Sequence, residues 1–294
     1  MTNIVRQRRR AAIGSTWREF TRDRGGLAGL IVLGVIVVLA LLAPFVTDAS
    51  GLDVTRATAR QWQAPSGEYW LGTDHTGRSV LLLTWWGSRI SLLIGLTATV
   101  LSVAIGTLVG ISAAHFGGWP SAMLMRFTDF FLVLPSLVLA IALSTVLPRG
   151  IGTIVLAIGV TSWAATARLV RAQTLSVEAR PFIERAKVLG GGHLHVIGRH
   201  VLPAVLPLVF VNTTLTVANA IVAEATLSFL GLGDPSMVSW GSMLRAANLH
   251  GAVSQRAWWV LLPPGLGVVV IVLAFTLCGR ALETVLNPRL RGDR

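Results

Sequence analysis

The chain alternates between long apolar runs and shorter polar stretches that contain arginine. Six apolar runs can be marked, the first over residues 27–46 and the others at about 88–114, 122–147, 151–172, 201–224 and 257–282. The first run would extend about 30 Å as a helix, which matches the hydrocarbon thickness of a bilayer. The pattern therefore predicts an all-α membrane protein with six transmembrane helices.

Composition agrees with this prediction and removes other classes. Hydrophobic residues make up 53% of the chain and charged residues 13%, about half the share of charge in soluble domains. An ordinary soluble enzyme, a disordered chain and a disulfide scaffold are excluded, and the one cysteine, Cys278, lies in an apolar run. The net charge of +12 comes mainly from residues flanking the apolar runs, where they would contact membrane lipid headgroups rather than nucleic acid.

The distribution of basic residues predicts the orientation. If the N-terminus is cytoplasmic, 18 of the 25 lysines and arginines fall on the cytoplasmic side and seven on the outer side. This bias favours both termini in the cytoplasm. The expected order is a cytoplasmic segment 1–26, a first helix 27–46 that is not cleaved, an extracytoplasmic segment 47–86, five further helices over 87–282 that include an extracytoplasmic segment 225–256, and a cytoplasmic tail 283–294.

The cytoplasmic stretch after Arg180 predicts a short helix over 181–189. Pro181 suits a first helical position, and Gly190-Gly191-Gly192 supplies a stop. Four apolar residues form one stripe, with charged residues beside it; the stripe consists of Phe182, Ile183, Ala186 and Leu189. From the residues alone, this helix could rest on the membrane surface without a partner or could be gripped by another protein at Ala186 and Gly190.

Several ordered motifs resemble one family of transport proteins. Glu184-Arg185-Ala186, Gly190 and Leu202-Pro203 resemble the "EAA loop" of permease subunits in binding-protein-dependent ABC importers. The wider match to the dipeptide/oligopeptide/nickel permeases, in the pattern of their C-type subunit, rests on Leu71-Gly72-Thr73-Asp74, Gly87-Ser88-Arg89, Leu134-Pro135-Ser136, Ala167-Arg168-Leu169-Val170-Arg171, Glu224 to Gly233, Ser239-Trp240-Gly241 and Asn287-Pro288-Arg289-Leu290.

The resemblance implies a type I importer fold and a pore-forming subunit for di- or oligopeptides in a bacterial cytoplasmic membrane. It implies four kinds of partner: a homologous B-type permease, two ATPase subunits, an extracytoplasmic binding protein and membrane lipid. Glu184, Arg185, Ala186, Gly190, Leu202 and Pro203 would then couple the chain to the ATPases, with Arg185 where relatives usually have alanine. Nickel or haem-like cargo remains an alternative within the same family.

The chain carries no phosphate-binding loop. That motif needs a lysine followed by serine or threonine, and the sole lysine, Lys187, is followed by Val188. We therefore expect a subunit that is not itself an enzyme and binds no cofactor. ATP and magnesium would belong to the partner ATPases.

Polar residues inside the apolar runs give three further predictions. Asp129 should pair with Arg168 or Arg126, because an unpaired charge at that depth is costly. Asn212, Thr216 and Asn219 share one helix face, where they could line a translocation path or make interhelical hydrogen bonds. Gly106-x-x-x-Gly110 predicts close helix packing.

Other classes of membrane protein find less support in the sequence. An ATP-independent channel or secondary transporter would be expected to show inverted repeats, broken helices and midplane ion ligands, none of which is evident in the sequence. An intramembrane aspartyl protease built on Gly231-Leu232-Gly233-Asp234 would need a second aspartate facing the first, and Asp129 is the sole candidate. His193 and His195 lack the H-E-x-x-H arrangement, so no metal site is predicted.

Overall fold

The computed structural model describes residues 17–286, which are largely helical. A helical turn over residues 17–22 is followed by α1, Arg24–Val46. The next elements are α2, Val80–Phe116; α3, Gly118–Val133; α4, Ser136–Val146; α5, Ile151–Glu178; and α6, Pro181–Val188. The last are α7, Leu202–Phe229; α8, Trp240–Leu249; and α9, Trp258–Leu286. Short turns His193–Val196 and Ile197–Val201 lead into α7 without a break.

Within residues 17–286, five helices are long and apolar enough to cross a membrane. They are α1, α2, α5, α9 and the continuous stretch His193–Phe229 that contains α7. Their outward faces carry exposed apolar side chains, such as Leu41 at 63% and Val269 at 59% relative exposure. Such surfaces are unfavourable in water, so the fold is that of a multi-pass membrane protein.

The third apolar run is not one continuous helix, which corrects the expectation of a straight span over 122–147. It forms α3 and α4, which meet at an angle of 88°. Leu134 and Pro135 have extended backbones at the bend, as expected for a proline and the residue before it. The pair counts as one broken span or as a re-entrant loop, so the structure has five or six candidate spans.

Several helices extend beyond the apolar runs. α2 begins at Val80, where Ser79 caps its first turn, and α7 continues to Phe229. The first turns of α2 and the last of α7 therefore lie within stretches that the sequence pattern assigns to outer segments. Residues 80–86 and 225–229 are mostly apolar themselves, so the predicted apolar runs were drawn too short at these two ends.

Close approach of α2 and α5 holds the centre of the bundle together. A Cβ atom on Gly106 would lie 2.7 Å from the Trp163 carbonyl oxygen, and one on Gly110 would lie 2.6 Å from the Ala167 carbonyl oxygen. The glycine pair is thus required where these two helices touch, as the sequence predicts. α1 packs similarly on α9, with Gly29 against the Ala274 carbonyl oxygen.

The two ends of the bundle differ in character. At one end, called here the α6 end, α6 joins the ends of α2 and α5 and the start of the His193–Phe229 stretch. At the opposite end, residues 47–79 and α8 pack on the helices, with Trp240 Nε1 donating to the Thr84 carbonyl oxygen at 2.9 Å and Trp259 Nε1 donating to the Thr73 carbonyl oxygen at 3.3 Å. These bonds fix the polar segments of that end to the bundle.

Candidate functional site

Helix α6 is a short surface helix with defined ends. Arg180 precedes it, Pro181 occupies its first turn, and Leu189 caps it. Gly190 follows with φ of +85°, a left-handed conformation that favours glycine. The Gly191 N–H donates to the Ala186 carbonyl oxygen at 2.9 Å, so the predicted glycine stop is present.

Ile183 is the residue of α6 that is buried in the bundle. Ile183 is fully buried in an apolar cluster together with Val177, Val196, Val201 and Val205. The predicted stripe does not seat as a unit, because Phe182 is 43% exposed and Leu189 is 87% exposed. The stripe expectation fails because the helix is held by one apolar side chain near its start, and its later turns stand away from the core.

The outer face of α6 is therefore apolar and charged at once. A shallow depression is lined by Pro181, Glu184, Arg185, Val188 and Leu189. Val188 is 82% exposed, and nothing lies within 4 Å of a Cβ atom on Gly190. Exposed apolar residues grouped on a short helix are typical of an interaction surface.

The other two residues of the EAA-like motif lie apart from α6. Leu202 packs partly buried against the cluster that contains Ile183, and Pro203 is exposed in the first turn of α7. Leu202 thus contributes to the apolar cluster in which Ile183 of α6 is buried, and Pro203 remains at the surface. Glu184 and Arg185 are both exposed on α6 itself.

A cavity of about 670 Å³ opens within the bundle. Its walls come from α2, α5, α7 and the bend between α3 and α4, and they include Asn212, Thr216 and Asn219. No described residue that lines the cavity is charged; the polar ones are serine, threonine and asparagine. Such a wall can hydrogen-bond neutral polar groups without selecting for charge.

The three polar residues of α7 differ in their hydrogen bonds. Asn212 Nδ2 donates to Thr166 Oγ1 on α5 at 2.9 Å and approaches Thr216 Oγ1 at 3.4 Å. Asn219 is exposed and makes no side-chain hydrogen bond within residues 17–286. Asn219 therefore keeps polar capacity for another molecule, whereas Ser102 Oγ in the same wall has no partner within residues 17–286 and is itself buried.

Asp129 and Arg168 are brought together. Arg168 Nη2 donates to Asp129 Oδ1 at 2.5 Å, linking α3 to α5. Both side chains are more than half exposed in this chain, so the pair lies on its surface rather than in its core. The arrangement favours Arg168 over Arg126 as the partner.

Sequence reasoning missed a second acid within the helices. Glu224 on α7 is fully buried, and its carboxylate accepts hydrogen bonds from Ser91 Oγ at 2.9 Å and Ser228 Oγ at 2.8 Å. Ser91 Oγ in turn accepts from the Trp240 N–H at 3.3 Å. The signal that could have found this network is a glutamate beside small polar residues in the Glu224 to Gly233 motif.

The protease and metal-site alternatives find no support in the geometry of the described residues. Asp234 accepts from the N–H and hydroxyl of Ser236, as in a turn, and it lies at the end of the bundle opposite to α6. Within residues 17–286, no group of three or more potential metal ligands is found. The bend between α3 and α4 is a broken helix, which the sequence did not show. The expected absence of broken helices therefore cannot be used as an argument against a secondary transporter.

Comparison with known proteins assigns the fold to a class. Residues 106–292 match the family described as "Binding-protein-dependent transport system inner membrane component", and residues 13–65 match the "N-terminal TM domain of oligopeptide transport permease C". The chain is thus a helical membrane component of a transport system. It belongs to the binding-protein-dependent family, whose members are permease subunits of ABC transporters.

Similar curated proteins cover nearly the whole chain. A putative peptide transport system permease protein of Brucella abortus is 36% identical over 94% of this chain and 92% of its own length. The dipeptide transport system permease protein DppC of Bacillus subtilis is 35% identical over 94% of this chain and 85% of its own. The oligopeptide transport system permease protein OppC of the same organism is 34% identical, over 94% and 91%.

Proposed function

We propose that this chain is the C-type, pore-forming permease of an ATP-driven importer of di- and oligopeptides. The single observation that carries the proposal is the exposed face of α6 at one end of a bundle that encloses a neutral polar cavity. Membership of the family accounts for the role as a permease, and the similarity to peptide permeases supports peptide cargo.

The cavity wall favours peptides over bare nickel. A peptide backbone presents neutral N–H and C=O groups, which hydroxyls and the amide of Asn219 can pair with. Bare nickel would be bound better by imidazole or carboxylate groups, and none lines the described cavity.

The proposed complex contains a homologous B-type permease, two ATPase subunits and an extracytoplasmic binding protein. The ATPases would bind ATP and magnesium, and this chain would bind neither. Both termini and α6 would lie in the cytoplasm, and residues 47–79 together with α8 would lie outside. The basic residues flanking the helices support this orientation.

In the proposed mechanism, ATP binding closes the ATPase pair and displaces α6. A ligand can shift a conformational equilibrium only through unequal binding of the two states, so the exposed face of α6 must be gripped more tightly in one nucleotide state. The bundle would then open outward to accept cargo, and hydrolysis would return it to the inward-facing form.

Uptake measurements test the proposal. Cells lacking this chain, and the same cells with the full chain restored, are given labelled dipeptide, labelled tetrapeptide and labelled nickel ion. Energy-dependent peptide uptake that returns with the chain supports peptide import. Restoration of nickel uptake alone, or of no uptake, would contradict it.

Replacement of Gly190 tests the coupling part. Gly190→Trp adds bulk at the exposed end of α6 and strains its left-handed turn, whereas Gly190→Asn adds little bulk to a conformation that asparagine tolerates. We expect the tryptophan variant to lose peptide uptake, with ATP hydrolysis by the assembled complex retained. Normal uptake by Gly190→Trp would refute docking at this surface.

A further inference from the structure

Four side chains at the α6 end join four separate parts of the chain. Glu178, near the end of α5, accepts a hydrogen bond at Oε1 from His115 Nδ1 near the end of α2. Its other oxygen, Oε2, accepts from Lys187 Nζ on α6 at 2.8 Å. His115 Nε2 lies 2.8 Å from His193 Nδ1 at the start of the stretch that leads into α7.

Glu178 lies at the centre of this group. The His115 side chain is 1% exposed and that of Glu178 is 12% exposed, whereas Lys187 is 46% exposed. Each carboxylate oxygen serves a different element, so one side chain holds both α2 and α6. Both ring nitrogens of His115 have a partner, Glu178 at Nδ1 and His193 at Nε2.

The position of the group suggests what it does. α6 is otherwise attached through the short chain segments that connect it to α5 and to His193, through the buried Ile183 and through a ring contact between Phe182 and His200, whose centroids are 6.0 Å apart. α2 and α5 contribute Ser102 and Thr161 to the cavity wall, and they pack on each other through Gly106 and Gly110. A displacement of α6 moves the part of the cavity wall formed by α2 and α5 only if it also moves the ends of these two helices.

We propose that Glu178 is a positioning residue for transport: it binds α6 to the ends of α2 and α5 so that the three move together. This inference rests on the proposed function, because it assumes that a partner displaces α6. Glu178 itself contacts neither cargo nor nucleotide in this account. Its effect is exerted through the Lys187 and His115 bonds, which convert movement of a surface helix into movement of the cavity wall.

The test measures transport and ATP hydrolysis in the same proteoliposomes, which contain the complete complex and labelled tetrapeptide. We expect Glu178→Gln to lower the peptide molecules taken up per ATP hydrolysed by about fivefold or more, within the usual range of coupling between sites. Lys187→Gln should lower the ratio in the same direction, and Lys187→Arg should restore it. Arg180→Gln is the matched control, since it removes an exposed positive charge beside α6 that has no ion pair within residues 17–286.

The ratio separates positioning from a merely structural role. An assembled Glu178→Gln complex with an unchanged ratio overturns the inference, even if both rates fall together. If that variant does not assemble, Lys187→Gln decides, because it leaves the bond between Glu178 and His115 intact; a ratio equal to that of Lys187→Arg overturns the inference. Absence of ATP-dependent uptake by the unaltered complex would instead contradict the proposed function.

Discussion

Ser91 on α2 donates a hydrogen bond to the fully buried carboxylate of Glu224 on α7, although 133 positions separate them in the chain. The same serine oxygen receives the N–H of Trp240 at the start of α8. One carboxylate therefore joins two long helices and the short helix that covers their ends. The carboxyl group also lies close to the N-terminus of α8, because Ser91, which donates to it, accepts the Trp240 N–H.

Removal of this carboxylate should destabilise the chain. Glu224→Ala leaves the hydroxyls of Ser91 and Ser228 without their partner, so we expect a loss of about 1–3 kcal/mol. Thermal unfolding in detergent measures the effect. Glu283→Ala, at an exposed position on α9, should change stability by less than about 0.5 kcal/mol. Equal melting temperatures for the two variants would count against the network.

Contact between α2 and α5 should be sensitive to a single methyl group. Gly110→Ala places Cβ against the Ala167 carbonyl oxygen, and such overpacking typically costs about 1–3 kcal/mol. Gly34→Ala on α1 is the matched control, since nothing lies within 4 Å of its Cβ position. The same melting assay should show a loss for the first variant and none for the second; two equal losses would contradict the packing argument.

Asn212 and Asn219 should differ in what they affect. Asn212→Ala loses the bond to Thr166, worth on average about 0.6 kcal/mol in membrane proteins, and should lower stability slightly. Asn219→Ala should leave stability unchanged and raise the KM for peptide, because its amide faces the cavity without a partner in the described chain. Uptake at several peptide concentrations separates the two effects. An unchanged KM for Asn219→Ala would remove it from the path.

The segment before α2 should respond to mild acid through His75. Its ring stacks on His250 with centroids 3.7 Å apart and lies beside Asp74 and Arg78. Burial, opposed by the charge of Asp74 and reinforced by His250 and Arg78, lowers the pKa of His75 below its ordinary 6.5. The unfolded chain therefore binds more protons than the folded one just below pH 6.5, so stability falls as pH decreases from there towards the lower, folded pKa.

Melting temperatures measured from about pH 7.5 to about pH 5, the range in which histidine side chains usually titrate, test this dependence. His75→Phe keeps a flat ring in the stack but cannot take up a proton, so it should flatten the curve. Asp74 acts at lower pH: burial raises its pKa, but bonds from Thr76 and Arg78 and the Arg78 charge outweigh burial and lower it. An unaltered curve for His75→Phe would contradict the assignment to His75.

Much of the fold could be predicted from the sequence because a bilayer imposes simple rules. Apolar runs of sufficient length located every spanning helix, and Pro181 and Gly190 defined the ends of α6. The break at Pro135 could not be predicted in the same way, since Pro44, Pro207, Pro263 and Pro264 lie within continuous helices. Whether a proline bends a helix through 88° depends on the neighbours that contact the freed backbone, and hydropathy carries no information about them.

The site was predicted only in part, for a related reason. The residues of α6 are contiguous, so a local pattern could reveal them. Glu178 and His115 are 63 positions apart, and neither stands out within its own segment. Glu224 was placed at the end of an apolar run, whereas α7 continues beyond it. Contacts of this kind depend on helix register, which a single sequence does not show.

In the proposed function, this chain forms the transport pathway, and separate ATPase subunits supply the energy that changes its conformation. The most direct test reconstitutes either the purified chain alone or the complete complex into vesicle membranes. Entry of labelled tetrapeptide is then measured with and without ATP. We predict entry only with the complete complex and ATP. Entry at the full rate through the chain alone, without nucleotide or partners, would contradict the account.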